Sequence, residues 1–356
     1  MNKITVNTSV RYDLLMEEGL LQRSGEIARE VTGTCKACII SDKTVHDLYL
    51  EMTAASFASA GFDVRKVVLP PGEASKSLQS LEMLLEYLAQ EQFTRSDILV
   101  ALGGGVIGDL TGFAAAVYLR GIRFIQIPTT LLAAVDASVG GKTAVNLKAG
   151  KNLAGAFWQP SVVLYDPATA GSLPESIFLD GLAEVIKSGA IADNDLFTYV
   201  ARGEEPDFTA FIQHCVDRSI RVKKDLVEKD EHDIGLRQLL NFGHTSAHAI
   251  EKCSGYKISH GHAVAIGMLI SARAAHKLEW SRYDCSIPIR NVLEKYKYPM
   301  QCPFSAGELT EAALQDKKRR GDMISVVIPL KIGECALMDI PVEVLSDFFS
   351  AGLAQA

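Results

Sequence analysis

The chain has 356 residues, 48% of them hydrophobic and 22% charged, with a formal net charge of −7. This is enough for two globular domains with their own cores, and the negative balance argues against a nucleic-acid partner, so any anionic ligand must be met by locally clustered cations. No apolar run reaches roughly 18 residues, so no membrane span is expected, and Met1-Asn2-Lys3-Ile4-Thr5-Val6 lacks a signal-peptide core, which together predict a cytoplasmic protein.

In chain order, apolar runs at Ala37–Ile40, Val64–Leu69, Ile98–Leu102, Phe124–Ile127 and Val162–Leu164 read as buried strands. Helical patterns at about Val45–Ala60, Ser75–Gln92 and Val106–Tyr118 lie between them, the alternation of a parallel, doubly wound sheet. Cys35-Lys-Ala-Cys38 has redox spacing but leads straight into the first of these strands; the seven scattered cysteines are expected as free thiols, mostly buried. From about Leu173 helical periodicity takes over, at Ser176–Ile191, Phe208–Glu228, Leu236–Cys253, Gly261–Leu278 and Asp284–Tyr296. A short hairpin follows, Ile324–Pro329 with Glu334–Met338. The expected fold is α/β plus all-α, with an α/β domain over residues 1–170 and a mostly helical one over 171–356.

Gly103-Gly-Gly-Val-Ile-Gly-Asp109 follows a strand and opens a helix, as G-x-G-x-x-G does in dinucleotide sites. Glycines let backbone approach a pyrophosphate, and the helix N-terminus supplies amides and a favourable dipole. The motif stands on a later strand than usual and no acidic residue ends the next one; Asp42, ending the strand at Ile39-Ile40, is the alternative ribose partner. Asp136-Ala-Ser-Val-Gly-Gly-Lys142-Thr143 is nearly a Walker A loop, but a carboxylate replaces its first glycine and would repel phosphate. Lys142, Lys151 and Asn152 still read as anion-facing donors.

Glu184 and Lys187, at i and i+3 of an apolar helix, share a face and are expected to be buried with a purpose. Within the helical pattern Leu236–Cys253, residues Arg237, Asn241, His244 and His248 are spaced 4, 3 and 4 apart and fall on one stripe, which is cationic, amide and imidazole. Ser259-His260-Gly261-His262 opens the next helix. One carboxylate and two imidazoles, Glu184 with His244 and His260, suit zinc with a position left for substrate. On spacing alone His248 and His262 compete as ligands.

The ordered set GGGVIGD (Gly103–Asp109), Pro128-Thr-Thr-Leu-Leu132, VDASVGGKTAVN (Val135–Asn146), Gly150-Lys-Asn152, GLAEVIK (Gly181–Lys187), GLRQLLNFGHTSAHAIE (Gly235–Glu251), His260-Gly261 with AVAIGM (Ala263–Met268), and Asp316-Lys-Lys318 resembles the 3-dehydroquinate synthases, within the sugar-phosphate cyclases, over nearly the whole chain. The resemblance implies a Rossmann-like N-terminal domain, a helical metal-binding C-terminal domain and a homodimer. It implies conversion of 3-deoxy-D-arabino-heptulosonate 7-phosphate to 3-dehydroquinate and phosphate in the shikimate pathway. The route is transient oxidation by NAD, phosphate elimination, reduction and intramolecular aldol closure, with zinc or, alternatively, cobalt.

Carried over by motif, the metal ligands are Glu184, His244 and His260, and His248 is an active-site histidine. Nucleotide contacts fall on Asp42, Glu73, Lys76, Gly105, Val106, Ile107, Gly108, Asp109, Thr129, Thr130, Lys142, Lys151, Thr169 and Ser172. Substrate contacts fall on Arg120, Asp136, Lys142, Asn152, Lys187, Lys223, Arg237, Asn241, His248, Lys317 and Lys318. His262 departs from the family, which commonly has Glu there, and Thr169-Ala-Gly-Ser172 replaces a more usual Thr-Leu-Lys-Thr. The rival readings are a 2-deoxy-scyllo-inosose synthase, an aminodehydroquinate synthase, a metal-dependent polyol dehydrogenase, and a non-catalytic nucleotide- or metal-binding protein.

Overall fold

The computed structural model describes residues 1–314, 319–320 and 322–354. The chain divides into two compact units, Met1–Leu173 with Asp207–Gln213, and Pro174–Pro206 with His214–Ala356.

The first unit is built on a seven-stranded sheet. Its strands are β1 (Asn2–Asn7), β2 (Arg11–Met16), β3 (Lys36–Asp42), β4 (Asp63–Leu69), β5 (Ile98–Gly103), β6 (Arg123–Pro128) and, after a separate hairpin of β7 (Lys142–Leu147) and β8 (Gly150–Phe157), β9 (Val162–Tyr165). The order is β1-β2-β9-β6-β5-β3-β4, with only β1 antiparallel to its neighbour. Every residue of β5 is buried, as a strand covered on both faces requires. Alternate side chains serve opposite layers. Ile39, Val100 and Ile125 pack with Ile27 and Phe57, from α1 (Ser24–Thr32) and α3 (Glu51–Ser59). Cys38, Leu99 and Phe124 pack with Leu84 and Leu110, from α4 (Leu78–Gln90) and α5 (Gly105–Val117). A short α2 (Lys43–Val45) and a π-helical turn lead into α3.

After β3 the chain steps outward to β4, then returns to lay β5 on the other side of β3. The loops after β3 and β5 therefore diverge at a topological switch point, where open α/β sheets bind ligands. This accounts for a glycine motif standing on β5: it occupies the switch point although it is not on the first strand. The Walker-like stretch does not form a phosphate loop. Asp136 lies in a π-helical turn, Ala133–Ala137, and Lys142 opens β7 where a P-loop would open a helix. Thr143 and Val145 are buried on one face of that strand, a period-2 pattern that β-branched residues favour.

The second unit is mostly helical: α6 (Glu175–Ala192), α7 (Asn194–Arg202), α8 (Phe208–Lys229), whose first turns group with the first unit, α9 (His244–Cys253), α10 (His260–Lys277), α11 (Ser286–Lys295), α12 (Ala306–Leu314) and α13 (Leu345–Leu353). A small antiparallel sheet of β10 (Arg319–Arg320), β11 (Met323–Lys331) and β12 (Glu334–Pro341) joins them. Helix α10 packs against α6, α9, α11 and α13 and is buried nearly throughout. No helix among the described residues is long and apolar enough to cross a membrane.

The single helix expected over Leu236–Cys253 is broken. A 3-10 turn covers Leu236–Asn241, and α9 starts at His244. Between them Gly243 takes φ 78°, a conformation open to glycine and costly for other residues. The cause is the neighbouring helix: a Cβ on Gly243 would lie 2.7 Å from the amide nitrogen of Met268, and one on Gly267 would lie 2.1 Å from the Gly243 carbonyl oxygen. Arg237 and Asn241 thus sit on a turn of their own, not on one helical stripe with His244 and His248.

Candidate functional site

In the second unit the structure brings Glu184, His244 and His260 together, with one ligand atom from each lying within 4.8 Å of the others. Both histidines turn Nε2 toward one oxygen: Glu184 Oε1 is 3.8 Å from His244 Nε2 and 3.5 Å from His260 Nε2. The other oxygen, Oε2, is in contact with Lys187 Nζ, and Glu184 and Lys187 are both buried. Each imidazole is also held from behind. His244 Nδ1 lies 3.2 Å from the carbonyl oxygen of Phe242, and His260 Nδ1 lies 3.2 Å from Glu251 Oε2. Burial works against an imidazolium at His260, but the carboxylates of Glu184 and Glu251 outweigh it and lift the pKa from 6.5 to about 10. The carboxylates of Glu184 and Glu251 on either side of the His260 ring favour a cation at this point. Two imidazoles and one carboxylate form a zinc-type donor set.

His262 is claimed elsewhere. Its Nδ1 lies 2.9 Å from Asp180 Oδ1 and 2.8 Å from Ser259 Oγ, and its backbone N–H donates to the same Asp180 oxygen at 3.1 Å. Asp180 therefore closes the N-terminus of α10 from α6, one turn ahead of Glu184. His248 lies one turn beyond His244, its ring centre 5.6 Å from that of His244 and 6.5 Å from that of His260.

Among the described residues of this unit, the cations Arg237, Lys187 and Lys223 are buried. Arg237 Nη1 donates to the Glu231 carbonyl at 2.5 Å, and its backbone N–H donates to Asp230 at 3.0 Å. Asn241, half-buried, ends the same turn. Of these cations, Lys187 is matched by Glu184. Lys317 and Lys318 lie outside the described residues.

In the first unit, Asp42 ends β3 and caps α2, its Oδ1 accepting from the N–H groups of Thr44 and Val45. Gly105, Val106, Ile107, Gly108 and Asp109 form the first turn and more of α5. Thr129 and Thr130 follow β6, and the Thr129 N–H donates to the Gly103 carbonyl at 3.0 Å. The glycines pack closely against side chains: a Cβ on Gly104 would lie 3.1 Å from Thr130 Cγ2, and one on Gly108 2.8 Å from Gln126 Oε1. This leaves a bare backbone surface at a helix N-terminus, a fit for the pyrophosphate of a dinucleotide.

Lys76, Asp109 and Asn152 meet. Lys76 Nζ contacts the Asp109 carboxylate and donates to Asn152 Oδ1 at 2.6 Å. Glu73 joins through Asn146, whose Nδ2 donates to Glu73 Oε1 at 2.7 Å while its Oδ1 accepts from the Asn152 N–H. Thr169 is buried and donates to the Asp166 carbonyl; Ser172 donates to the Thr169 carbonyl and accepts from Tyr49. Lys142 is exposed, and Lys151 and Asp136 are half-buried. Arg120 is exposed and shares a left-handed backbone pair with Leu119, φ 67° and 49°. Sequence reasoning missed Glu251, Asp180 and Asn146. Glu251 was open to detection, since it stands seven residues after His244 and so shares its helix face.

The family model described as 3-dehydroquinate synthase N-terminal matches residues 66–180, and that described as 3-dehydroquinate synthase C-terminal matches residues 181–319. A 3-dehydroquinate synthase of Enterococcus faecalis strain OG1RF is 42% identical over 352 residues, covering 98% of each chain. Among solved structures, a 2-deoxy-scyllo-inosose synthase complexed with carbaglucose-6-phosphate, NAD+ and Co2+ superposes with a TM-score of 0.87 at 24% identity, covering 97% of this chain and all of that one. A 2-epi-5-epi-valiolone synthase from Streptomyces hygroscopicus subsp. jinggangensis 5008, with NAD+ and Zn2+ bound, gives 0.86 at 24% identity over 98% of both chains. At that identity the likeness speaks to the fold. On the family-model matches and the full-length identity, the chain belongs to the 3-dehydroquinate synthase family.

Proposed function

We propose that the protein converts 3-deoxy-D-arabino-heptulosonate 7-phosphate to 3-dehydroquinate and phosphate, as a carbon–oxygen lyase using NAD and one divalent ion. The observation that carries this reading is the convergence of Glu184, His244 and His260 within 4.8 Å in a chain of this family. The proposed division of labour gives nucleotide binding to residues 1–170, and the metal with most of the substrate contacts to 171–356. A homodimer in the cytoplasm belongs to the same proposal.

An ion held by Glu184, His244 and His260 would supply Lewis acidity toward a substrate hydroxyl, and NAD would supply a transient hydride acceptor. The protein's own residues bind and orient. Lys187 engages Glu184 Oε2 and so keeps Oε1 turned to the two histidines. Arg237 offers a planar fork to the substrate carboxylate, with Lys223 as a second cation. Arg120, Lys142 and Asn152 receive the phosphate. Asp136 and Asn241 orient hydroxyl groups, and Lys317 and Lys318 are retained as substrate contacts on sequence alone. His248, one turn from a metal ligand, moves or holds a proton. Asp42, Glu73, Lys76, Gly105, Val106, Ile107, Gly108, Asp109, Thr129, Thr130, Lys142, Lys151, Thr169 and Ser172 serve the nucleotide. Much of the rate enhancement then comes from positioning and charge stabilisation.

The test is incubation with the heptulosonate phosphate, Zn2+ and NAD far below the substrate concentration, following phosphate and NADH absorbance together. Many phosphates released per NAD, with no net NADH, is the expected result. NADH rising in step with turnover would point to a dehydrogenase and reject the reading.

A further inference from the structure

We infer that Glu251 is a positioning residue for the metal centre, fixing the His260 ring so that Nε2 is the nitrogen offered to the ion. The inference rests on the metal reading above and adds a residue to it. Glu251 is buried on α9, and its Oε2 stands 3.2 Å from His260 Nδ1. The two nitrogens of an imidazole point apart, so a ring with Nδ1 on Glu251 directs Nε2 toward Glu184 Oε1, where it is found at 3.5 Å. A carboxylate accepts the Nδ1 proton, leaves the lone pair on Nε2 and raises its basicity.

The arrangement distinguishes the two histidine ligands. His244 is backed by a neutral carbonyl, that of Phe242, whereas His260 is backed by an anion. The other acid near the start of α10, Asp180, is taken up by Ser259 and His262 and does not substitute. Helix α9 thus delivers two groups from one face: a ligand at His244 and, seven residues on, the support for His260. A buried carboxylate is costly, and this placement gives it a purpose.

The full-length protein is stripped of metal, and Zn2+ and Co2+ affinities are measured by competition with a chromophoric chelator for wild type, Glu251→Gln, Glu251→Asp and Glu251→Ala. Glu251→Gln is expected to weaken both ions about 10–100-fold and to shift the visible spectrum of the Co2+-saturated protein. Glu251→Asp is expected to recover part of the affinity, and it carries the spectral test by itself where Gln is not tolerated. Wild-type affinity in Glu251→Gln overturns the assignment. So does weakened affinity with an unchanged saturated Co2+ spectrum, the mark of a merely structural role. A wild type that binds neither ion overturns the metal reading along with this one, whereas a binding wild type with unaffected variants removes Glu251 alone.

Discussion

At the scale of single residues, the metal candidate depends on how each side chain divides its polar atoms. Glu184 gives one oxygen to Lys187 and turns the other toward two imidazoles. Removing a ligand and removing a substrate cation should therefore have separable effects. His244→Ala is expected to lose stoichiometric zinc after dialysis, read by metal analysis. Arg237→Ala is expected to keep zinc and raise KM for the heptulosonate phosphate by about 10²-fold or more, since removing one partner of a buried charge pair costs about 2–5 kcal/mol. Unchanged turnover and KM in Arg237→Ala would remove Arg237 from the carboxylate site.

At the scale of elements, the close crossing of α9 and α10 sets the distance between two of the ligands. His244 opens one helix and His260 the other, and Gly243 and Gly267 meet backbone to backbone at the crossing. Gly267→Ala places a methyl where a carbonyl oxygen sits. It is expected to cost about 1–3 kcal/mol as overpacking, read from urea unfolding, and to weaken Zn2+ binding in parallel by moving the helices apart. Unaltered stability and affinity would show that the crossing has slack. This crossing was not legible in sequence: Leu236–Cys253 carries an unbroken helical period, and only the approach of α10 forces the interruption at Gly243. Strands β3, β5, β6 and β9 were legible because each holds a nearly continuous apolar run, and β4 because Val67-Val68-Leu69 ends it. Strands β1 and β2 were not: in β1, at the sheet edge, only Ile4 and Val6 are apolar, and in β2 Arg11 and Asp13 interrupt the apolar residues. The β7–β8 hairpin was hidden by Gly140-Gly141-Lys142-Thr143, which spells the end of a phosphate loop.

At the scale of the whole molecule, each unit carries its own candidate ligand set. The glycine loop of α5, with Asp42 and Thr129-Thr130, lies in the first unit, and the Glu184–His244–His260 cluster lies in the second. Hydrogen exchange should respond accordingly. Saturating NAD is expected to slow amides in the loops after β3, β5 and β6. Zn2+ is expected to slow those around Glu184 in α6 and at the starts of α9 and α10, because a ligand stabilises what it binds. NAD protection confined to the second unit would contradict the assignment of the nucleotide to the sheet.

The amino-acid sequence by itself determined the βα alternation, the change to helices near residue 173, the glycine motif before α5, and the residue types able to hold a cation and an anion. These depend on local period and side-chain chemistry, which a short window contains. Only the tertiary structure decided among chemically equal candidates. His260 and His262 stand two residues apart, yet Asp180 takes the second while Glu184 and Glu251 face the first. Lys76, distant in the chain from Asp109 and Asn152, reaches both, and the Asn146 N–H of the β7–β8 hairpin donates to its carbonyl. Helical period says which side chains of one element share a face. Which face meets which partner is set by long-range packing that no local pattern encodes.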